Sequence, residues 1–208
     1  MIKIWDTLKL KSLSTYNKFK YRGLFSGIKE RSITLQEACK ALNVTPPEGV
    51  SERQLKAHYF ISMKRMFYMK RSIHFTAVET PTAFLRALVG QGGIIVAEKQ
   101  IGTLPTLVVP NLIEAYITLL SIFRNRTNSK VVAVTGSTGK TSTKNMCIST
   151  FSKSKNTFGV KYNMNTYPYC GSLLQCVKNK HELYVQEVDE GEVGFVNHAS
   201  RILQPNVN

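Results

Sequence analysis

The segment VVAVTGSTGKTSTKNM, residues 131–146, contains the residues whose types and spacing could do chemistry. An apolar strand pattern runs directly into Gly136, a second glycine follows at Gly139, and a helical pattern begins after it. Such glycines let the backbone turn tightly around an anion, and N–H groups at a helix start present partial positive charge to it. Lys140 would then reach the β- and γ-phosphate oxygens of a nucleotide, and the Thr141 hydroxyl would bind Mg²⁺. The segment is therefore predicted to be a phosphate-binding loop.

The spacing of this loop differs from the standard pattern G-x-x-x-x-G-K-[ST] at one position. That pattern places a glycine five residues before Gly139, where this chain has Val134. A chance glycine turn before a helix is the alternative interpretation, but the order of strand, loop and helix favours a phosphate site. The residues expected to contact the nucleotide are Gly136, Ser137, Thr138, Gly139, Lys140, Thr141 and Ser142.

Alternating helical and strand patterns predict that the loop is positioned by an α/β fold with a parallel sheet and helices outside it. The predicted helices cover residues 33–43, with Ser32 or Thr34 as N-cap, and residues 82–91, 111–126, 141–151, 172–177 and 191–203. The predicted strands lie within residues 92–98, 106–110, 131–135, 157–160 and 183–188. A short polar tract, NRTNSK, indicates a domain boundary near Ser129.

Composition excludes several classes of protein. The chain has 208 residues, of which 43% are hydrophobic and 20% charged, so it can bury a core and is not disordered by composition. The longest nearly apolar stretch, residues 116–123, is much shorter than the ~20 residues that cross a bilayer. The N-terminus lacks the apolar region of a signal peptide, and four cysteines fit neither a disulfide framework nor a zinc pair. We expect a cytoplasmic protein with reduced thiols.

The net charge of +15 raises the alternative of a nucleic-acid partner. Residues 64–71 interleave lysine and arginine with aromatic residues and methionine, a pattern that could follow a nucleic-acid backbone. An ordinary solvated basic face is favoured, because no nucleic-acid fold signature accompanies the cluster. Residues 1–29 are also basic, and an amphipathic surface helix is an alternative there to packing on the next domain.

The string TGSTGKTSTK, residues 135–144, resembles the nucleotide loop of the Mur ligases, ATP-dependent enzymes that extend the peptide of cell-wall precursors. Downstream, residues 163–166 (NMNT) look like the asparagine-rich loop of the family, and residues 182–208 resemble its next strand and helix. Upstream, residues 82–124 are similar to the end of its substrate-binding domain. The opening Thr-Gly-Ser with Thr143-Lys144 is most similar to the branch that joins D-alanyl-D-alanine to UDP-N-acetylmuramoyl-tripeptide.

The resemblance implies a domain order and a mechanism. It implies a basic extension (residues 1–32), a small, divergent N-terminal α/β substrate domain (33–129) and the first part of a P-loop parallel-sheet ATPase domain (130–208). ATP would phosphorylate a carboxylate of a precursor, which the branch implies is a UDP-sugar peptide, and an amine would displace the phosphate to leave an amide. The partners expected are therefore ATP with Mg²⁺ and this precursor, with no membrane span and no nucleic acid.

The resemblance also assigns residues. Lys140 and Glu187 would be catalytic, and Thr141 and Glu187 would bind the magnesium. Glu187 ends an otherwise apolar strand, where a carboxylate is costly unless a cation or hydrogen bond accompanies it, although an exposed strand-end glutamate is the alternative. The candidate substrate residues are Arg53, Asn163, Asn165 and Thr166. Three further acids, which are expected to stabilise the positive end of the following helix, are Asp189, Glu190 and Glu192. His198 is expected to be a solvated helix residue.

Two departures from the family pattern leave alternatives open. The segment Ser51-Glu52-Arg53 stands where the muramoyl-peptide branches have Asp-Ser-Arg. The sequence ends at Asn208, before the histidine, the carbamylated lysine and the C-terminal domain of the family. We therefore expect an incomplete enzyme of marginal stability, with a non-catalytic nucleotide- or partner-binding module derived from a Mur ligase as the alternative.

Overall fold

The computed structural model describes residues 32–63, 71–76, 80–160 and 163–206. Most of the predicted basic extension and of the basic, aromatic cluster at residues 64–71 lies outside the described residues. The chain divides into two compact units between Leu119 and Leu120. None of the helices in the described part of the chain is long and apolar enough to cross a membrane.

The first unit is built on a five-stranded sheet with the strand order β1-β2-β3-β4-β5. Strand β1 is antiparallel to β2, and the other neighbours are parallel. Its elements are β1 (Ile33–Thr34), α1 (Leu35–Leu42), α2 (Glu52–Leu55), β2 (His58–Ser62), β3 (Ser72–Phe75), α3 (Thr82–Gly90), β4 (Ile94–Ala97) and β5 (Thr106–Val108). Every residue of β3 and β4 is buried, as expected for parallel strands that are covered on both faces.

Local sequence signals explain where the first helices begin. The Thr34 side chain accepts a hydrogen bond from the Glu37 backbone N–H, while the Glu37 carboxylate accepts one from the Thr34 backbone N–H. This reciprocal capping starts α1 at Leu35, so residues 33–34, predicted as helical, instead form strand β1. The helix predicted for residues 82–91 is confirmed as α3, and helix α4 (Leu112–Arg126) contains the division between the two units.

The second unit places the predicted loop beside the central strand of a parallel sheet. Its elements are β6 (Lys130–Val134), α5 (Lys140–Phe151), β7 (Thr157–Phe158), α6 (Tyr167–Leu174), β8 (Leu183–Glu187) and α7 (Phe195–Leu203). The strand order is β6-β8-β7, and all five residues of β8 are buried. Val134, the last residue of β6, pairs with Glu187, the last residue of β8. The two carboxyl ends therefore lie side by side, where α/β proteins place ligand groups.

Two helices of this unit begin at different residues from those predicted. Helix α6 covers Tyr167–Leu174 instead of residues 172–177, with Thr166 as its N-cap and Pro168 in its first turn. Proline is well tolerated in a first turn, where its missing N–H has no intrahelical partner. Helix α7 begins at Phe195 instead of residue 191, because Gly194, with φ +90°, is its N-cap. Residues 189–192 therefore lie in the preceding loop.

The side chain of Arg124 binds the carboxyl end of α7 within the second unit. Its Nε donates to the Leu203 carbonyl at 2.6 Å, and its Nη2 donates to the Gln204 carbonyl at 3.2 Å. Gln204 has φ +42°, so the chain leaves the helix in a left-handed conformation. Burial lowers the pKa of the Arg124 guanidinium from its usual value. A cation at this position satisfies carbonyls that the helix leaves without partners.

Replacing Arg124 with alanine is expected to lower the free energy of unfolding by about 2 kcal/mol, because charge-assisted hydrogen bonds to these carbonyls are lost. Urea denaturation followed by circular dichroism measures this loss. Arg86, which is exposed on α3, provides the control, and R86A should leave the midpoint almost unchanged. Equal midpoints for R124A and R86A would contradict the assigned role of Arg124.

Candidate active site

The loop between β6 and α5 is open to solvent and shaped by its two glycines. Residues 135–139 are all exposed. Gly136 has φ +136° and Gly139 has φ +73°, both in the region that side chains with a Cβ rarely adopt. Gly139 is the N-cap of α5, and because glycine has no side chain, no capping side chain occupies the first N–H groups of that helix. Those groups can bind an anion, as the sequence predicts.

The Lys140 side chain contacts both the backbone of this loop and an acidic residue that follows β8. Its Nζ donates to the Gly136 carbonyl at 2.7 Å and forms an ion pair with Glu190 Oε1, also at 2.7 Å. The hydrogen bond from Lys140 lowers the pKa of the Glu190 carboxyl from its usual value. The prediction that Glu190 stabilises a helix terminus is wrong, because its carboxylate pairs with Lys140 and the first turn of α7 contains no acidic residue.

Glu187 is buried at the end of β8 and accepts hydrogen bonds at both carboxylate oxygens. Its Oε2 accepts from Thr141 Oγ1 at 2.9 Å and from Lys144 Nζ at 3.1 Å. Its Oε1 accepts from Asn165 Nδ2 at 3.2 Å. The exposed fraction of Glu187 is 3%, so the alternative of an exposed strand-end glutamate does not hold. Charge and hydrogen bonds together offset the cost of burying this carboxylate.

A polar network beneath Glu187 holds the asparagine-rich loop in place. The Tyr184 hydroxyl donates to Gln186 Oε1 at 2.6 Å, and Gln186 Nε2 donates to the Met164 carbonyl at 2.7 Å. The Asp189 backbone N–H donates to the Asn165 carbonyl at 2.9 Å. The carbonyls of Met164 and Asn165 are thus held by residues in β8 or just after it, which explains how the Asn165 amide reaches Glu187. Burial raises the pKa of Tyr184 well above its usual value, so its hydroxyl stays a donor.

The structure brings together only part of the predicted residue set. Ser137, Thr138 and Ser142 are exposed on the loop and the first turn of α5, near Lys140 and Thr141 in the chain. Sequence reasoning assigned no role to Lys144, Gln186 or Tyr184. Lys144 lies three residues after Thr141 and four after Lys140, which places these side chains on one helix face, and this spacing was the available signal.

The candidate substrate residues are divided between the two units. Asn165 contacts Glu187, whereas Asn163 is exposed and Arg53 is exposed on α2 of the first unit. Thr166 is the N-cap of α6, and its hydroxyl oxygen is buried without a hydrogen-bond partner. His198 is partly buried against the Tyr167 ring at 5.3 Å, so the prediction of a solvated histidine is wrong.

Thr141 and Glu187 fit a magnesium ion that shares its coordination with a second molecule. Because the Thr141 hydroxyl donates its proton to Glu187, its oxygen lone pairs remain available to a cation. Hydroxyl and carboxylate oxygens are ligands that Mg²⁺ accepts. The described residues contain no cluster of three or more His, Cys, Asp or Glu side chains that could hold a metal ion. Further ligands would come from water or from phosphate, as is usual for Mg²⁺.

A protein-family model matches the C-terminal part of the chain. Residues 134–208, which contain the loop, Glu187 and the asparagine-rich loop, match the model of the Mur ligase middle domain. The resemblance of the nucleotide loop to the Mur ligases is therefore confirmed.

Curated relatives point to one branch of the Mur ligases. Over 103 residues the chain is 32% identical to the UDP-N-acetylmuramoyl-tripeptide--D-alanyl-D-alanine ligase of Buchnera aphidicola subsp. Acyrthosiphon pisum. This alignment covers 50% of the chain and 23% of that ligase. The ligase of the same name from Borreliella burgdorferi is 34% identical over 49% of the chain and 22% of the relative. The chain thus spans about a quarter of the length of these Mur ligases.

Solved Mur ligase structures share the fold. The UDP-N-acetylmuramoylalanyl-D-glutamyl-2,6-diaminopimelate--D-alanyl-D-alanyl ligase of Acinetobacter baumannii superposes with a TM-score of 0.66 at 22% identity, covering 84% of the chain and 40% of that structure. MurF ligase from Thermotoga maritima in complex with ADP has a TM-score of 0.59 at 22% identity, covering 71% and 36% respectively. The predicted α/β class with a parallel sheet is confirmed.

Proposed function

We propose that the chain carries the nucleotide-binding site of a Mur-type amide ligase that acts on a peptidoglycan precursor in the cytoplasm. One observation carries the proposal: at the paired ends of β6 and β8, the glycine loop is followed by Thr141, which donates to Glu187, and by Lys140, which pairs with Glu190. The middle-domain match and the ADP complex of the Thermotoga maritima ligase support ATP as the nucleotide. The names of the curated relatives support a UDP-linked muramoyl peptide as the precursor. Residues 33–129 would be the substrate-binding domain and residues 130–208 the start of the ATPase domain.

Each loop residue has a role in this proposal. The N–H groups at the start of α5 and the Lys140 ammonium would neutralise phosphate oxygens, where charge develops as the terminal phosphoryl group is transferred. Thr141 and Glu187 would hold a magnesium ion, which supplies further charge neutralisation when it is bound. The phosphoryl group passes from ATP to a carboxylate, ADP leaves, and an amine then displaces phosphate to form the amide. Asn163, Asn165, Thr166 and Arg53 remain candidates for contact with the precursor.

Two measurements test the proposal. Isothermal titration calorimetry should detect binding of ATP and ADP in the presence of Mg²⁺, and absence of binding would contradict a nucleotide site. An assay of phosphate release with the tripeptide precursor, D-alanyl-D-alanine and ATP tests for ligase chemistry, and precursor-dependent release would favour a ligase over a non-catalytic nucleotide-binding module. Nucleotide binding without release is expected both of such a module and of an incomplete ligase. The coding sequence beyond residue 208 separates these two cases, because only a ligase would continue into further ligase domains.

Replacing Glu190 with glutamine should strengthen ADP binding about two- to fivefold, because Lys140 no longer has to leave a carboxylate to meet a phosphate. E192Q removes the same charge from an exposed neighbour with no ion pair to Lys140 and is the matched control. Calorimetry of both variants with MgADP measures the difference. If E190Q gains no more affinity than E192Q, the ion pair does not compete with phosphate.

A further inference from the structure

Lys144 is the buried residue of α5, and the proposed function gives it no role. It lies one helical turn after Lys140, its exposed fraction is 1%, and its Nζ is 3.1 Å from Glu187 Oε2. A buried ammonium is costly unless an opposite charge accompanies it, so this lysine is tied to Glu187. The pair therefore joins helix α5 to the end of strand β8 at the point where the metal is expected.

The carboxylate of Glu187 has little remaining capacity for a cation. An ionised carboxylate offers about four acceptor positions. Thr141 and Lys144 occupy two positions on Oε2, and Asn165 occupies one on Oε1. A metal ion can therefore take one position on Oε1 without displacing any of these contacts. Glu187 would be a single-oxygen ligand whose orientation Lys144 helps to fix.

Glu187 and Glu190 are each paired with a lysine before any ligand binds. The Lys144 ammonium neutralises Glu187, and the Lys140 ammonium forms an ion pair with Glu190. Within the described residues there is no cluster of three acidic, histidine or cysteine side chains to attract a metal ion. A divalent cation arriving alone would meet a neutral pair, whereas one bound to nucleotide phosphates brings negative charge with it.

We propose that Lys144 is a positioning residue that makes divalent-metal binding at Glu187 depend on the phosphates of the nucleotide. This inference rests on the proposed nucleotide site and adds the condition under which the metal enters. Lys144 holds the carboxylate in one orientation and cancels its charge, so the loop accepts the metal together with the nucleotide. A purely structural lysine would stabilise the fold without altering the affinity for free metal.

Binding of Mn²⁺ alone to the 208-residue chain tests the proposal. Water-proton relaxation enhancement distinguishes protein-bound Mn²⁺ from Mn²⁺ bound to ADP in solution. For the unsubstituted chain we expect enhancement with ADP and little without it. K144M and K144Q should bind Mn²⁺ without ADP on the order of tenfold more tightly than the unsubstituted chain, because Glu187 is no longer neutralised. K144R keeps the charge and should behave like the unsubstituted chain, as should K153M at an exposed lysine beyond α5.

A double variant and a second neutral variant locate the new Mn²⁺ site and guard against misfolding. K144M/E187Q should lose the new Mn²⁺ affinity, which places it at Glu187. The glutamine side chain in K144Q keeps a hydrogen-bond donor for Glu187 Oε2, so K144Q replaces K144M in these measurements if K144M does not fold. Unchanged affinity for free Mn²⁺ in both neutral variants would overturn the proposal, as would equal binding of Mn²⁺ to the unsubstituted chain with and without ADP. Failure of ADP to bind in calorimetry would instead count against the proposed function, while the measurements with Mn²⁺ alone still decide the role of Lys144.

Discussion

Replacing Lys140 with alanine should weaken binding of MgADP by about 10- to 100-fold. Charge-assisted hydrogen bonds contribute about 1.5–3 kcal/mol, and the ammonium at the loop mouth is the cation placed to make them with phosphate. The variant should stay folded, because Lys140 is the first residue of α5 and its partners, Gly136 and Glu190, are exposed and can be hydrated. Isothermal titration calorimetry measures the affinity directly.

A second lysine variant controls for the loss of positive charge. Lys153 is exposed just beyond the end of α5, so K153A removes the same charge from the same unit without touching the loop. The affinity of K153A for MgADP should stay within about twofold of the unsubstituted chain. Lys153 follows the opposite end of α5 from the loop, and exposed charges separated by more than a Debye length are largely screened. If K140A and K153A bind MgADP equally well, Lys140 does not contact the nucleotide.

The second large effect concerns stability. Replacing Glu187 with alanine should lower the free energy of unfolding by about 3–5 kcal/mol, because it leaves the Lys144 ammonium buried without its partner carboxylate. The hydrogen bonds from Thr141 and Asn165 are lost as well. Urea denaturation followed by circular dichroism, with hydrogen exchange of the β8 amides, measures the loss within the second unit.

A double variant separates the ion pair from the other contacts of Glu187. K144M/E187L replaces both charges with apolar side chains of similar volume and should recover most of the stability that E187A loses. It should not recover nucleotide binding, because the carboxylate is absent. Equal stability of E187A and the unsubstituted chain would show that the buried pair does not form, and it would remove the basis for the role given to Lys144.

The loop could be predicted because its signals are local. The sequence signals lie within one short segment: an apolar strand, two glycines that can adopt positive φ, and a helix start. The position of Glu187 was also predictable, since a polar residue at the end of an apolar strand meets its neighbours at the carboxyl edge of a parallel sheet. Local patterns and sheet geometry together identify this much of the site.

The side-chain pairs that complete the site could not be predicted in the same way. Glu190 lies 50 residues from Lys140 in the chain, and Lys144 lies 43 residues from Glu187. Periodicity describes which face of an element is buried, but it does not say which charge on another element lies opposite. The burial of Lys144 is an exception to the usual exposure of lysine, and the opposing carboxylate of Glu187 accompanies its charge.

The starts of helices α6 and α7 show a second limit of prediction from sequence. The signals for α6 are present in the sequence, because Thr166 followed by a first-turn proline is typical of a helix start, yet the helix predicted for residues 172–177 begins later than the observed one. At α7 the acidic residues before Gly194 resembled a first turn. Because Gly194 has a left-handed conformation, the helix begins only at Phe195. Glu190 therefore lies in the loop before the helix, and its carboxylate pairs with Lys140.

Titration of the ¹⁵N-labelled chain with MgADP, followed by backbone amide chemical shifts, tests the central claim that the loop binds nucleotide phosphates. The expected result is a set of shifts that is largest at residues 136–142, with smaller changes around Glu187 and Glu190. The amides at the start of α5 should move most, because they donate directly to the phosphates. Saturating MgADP that leaves residues 136–142 unshifted would contradict the account.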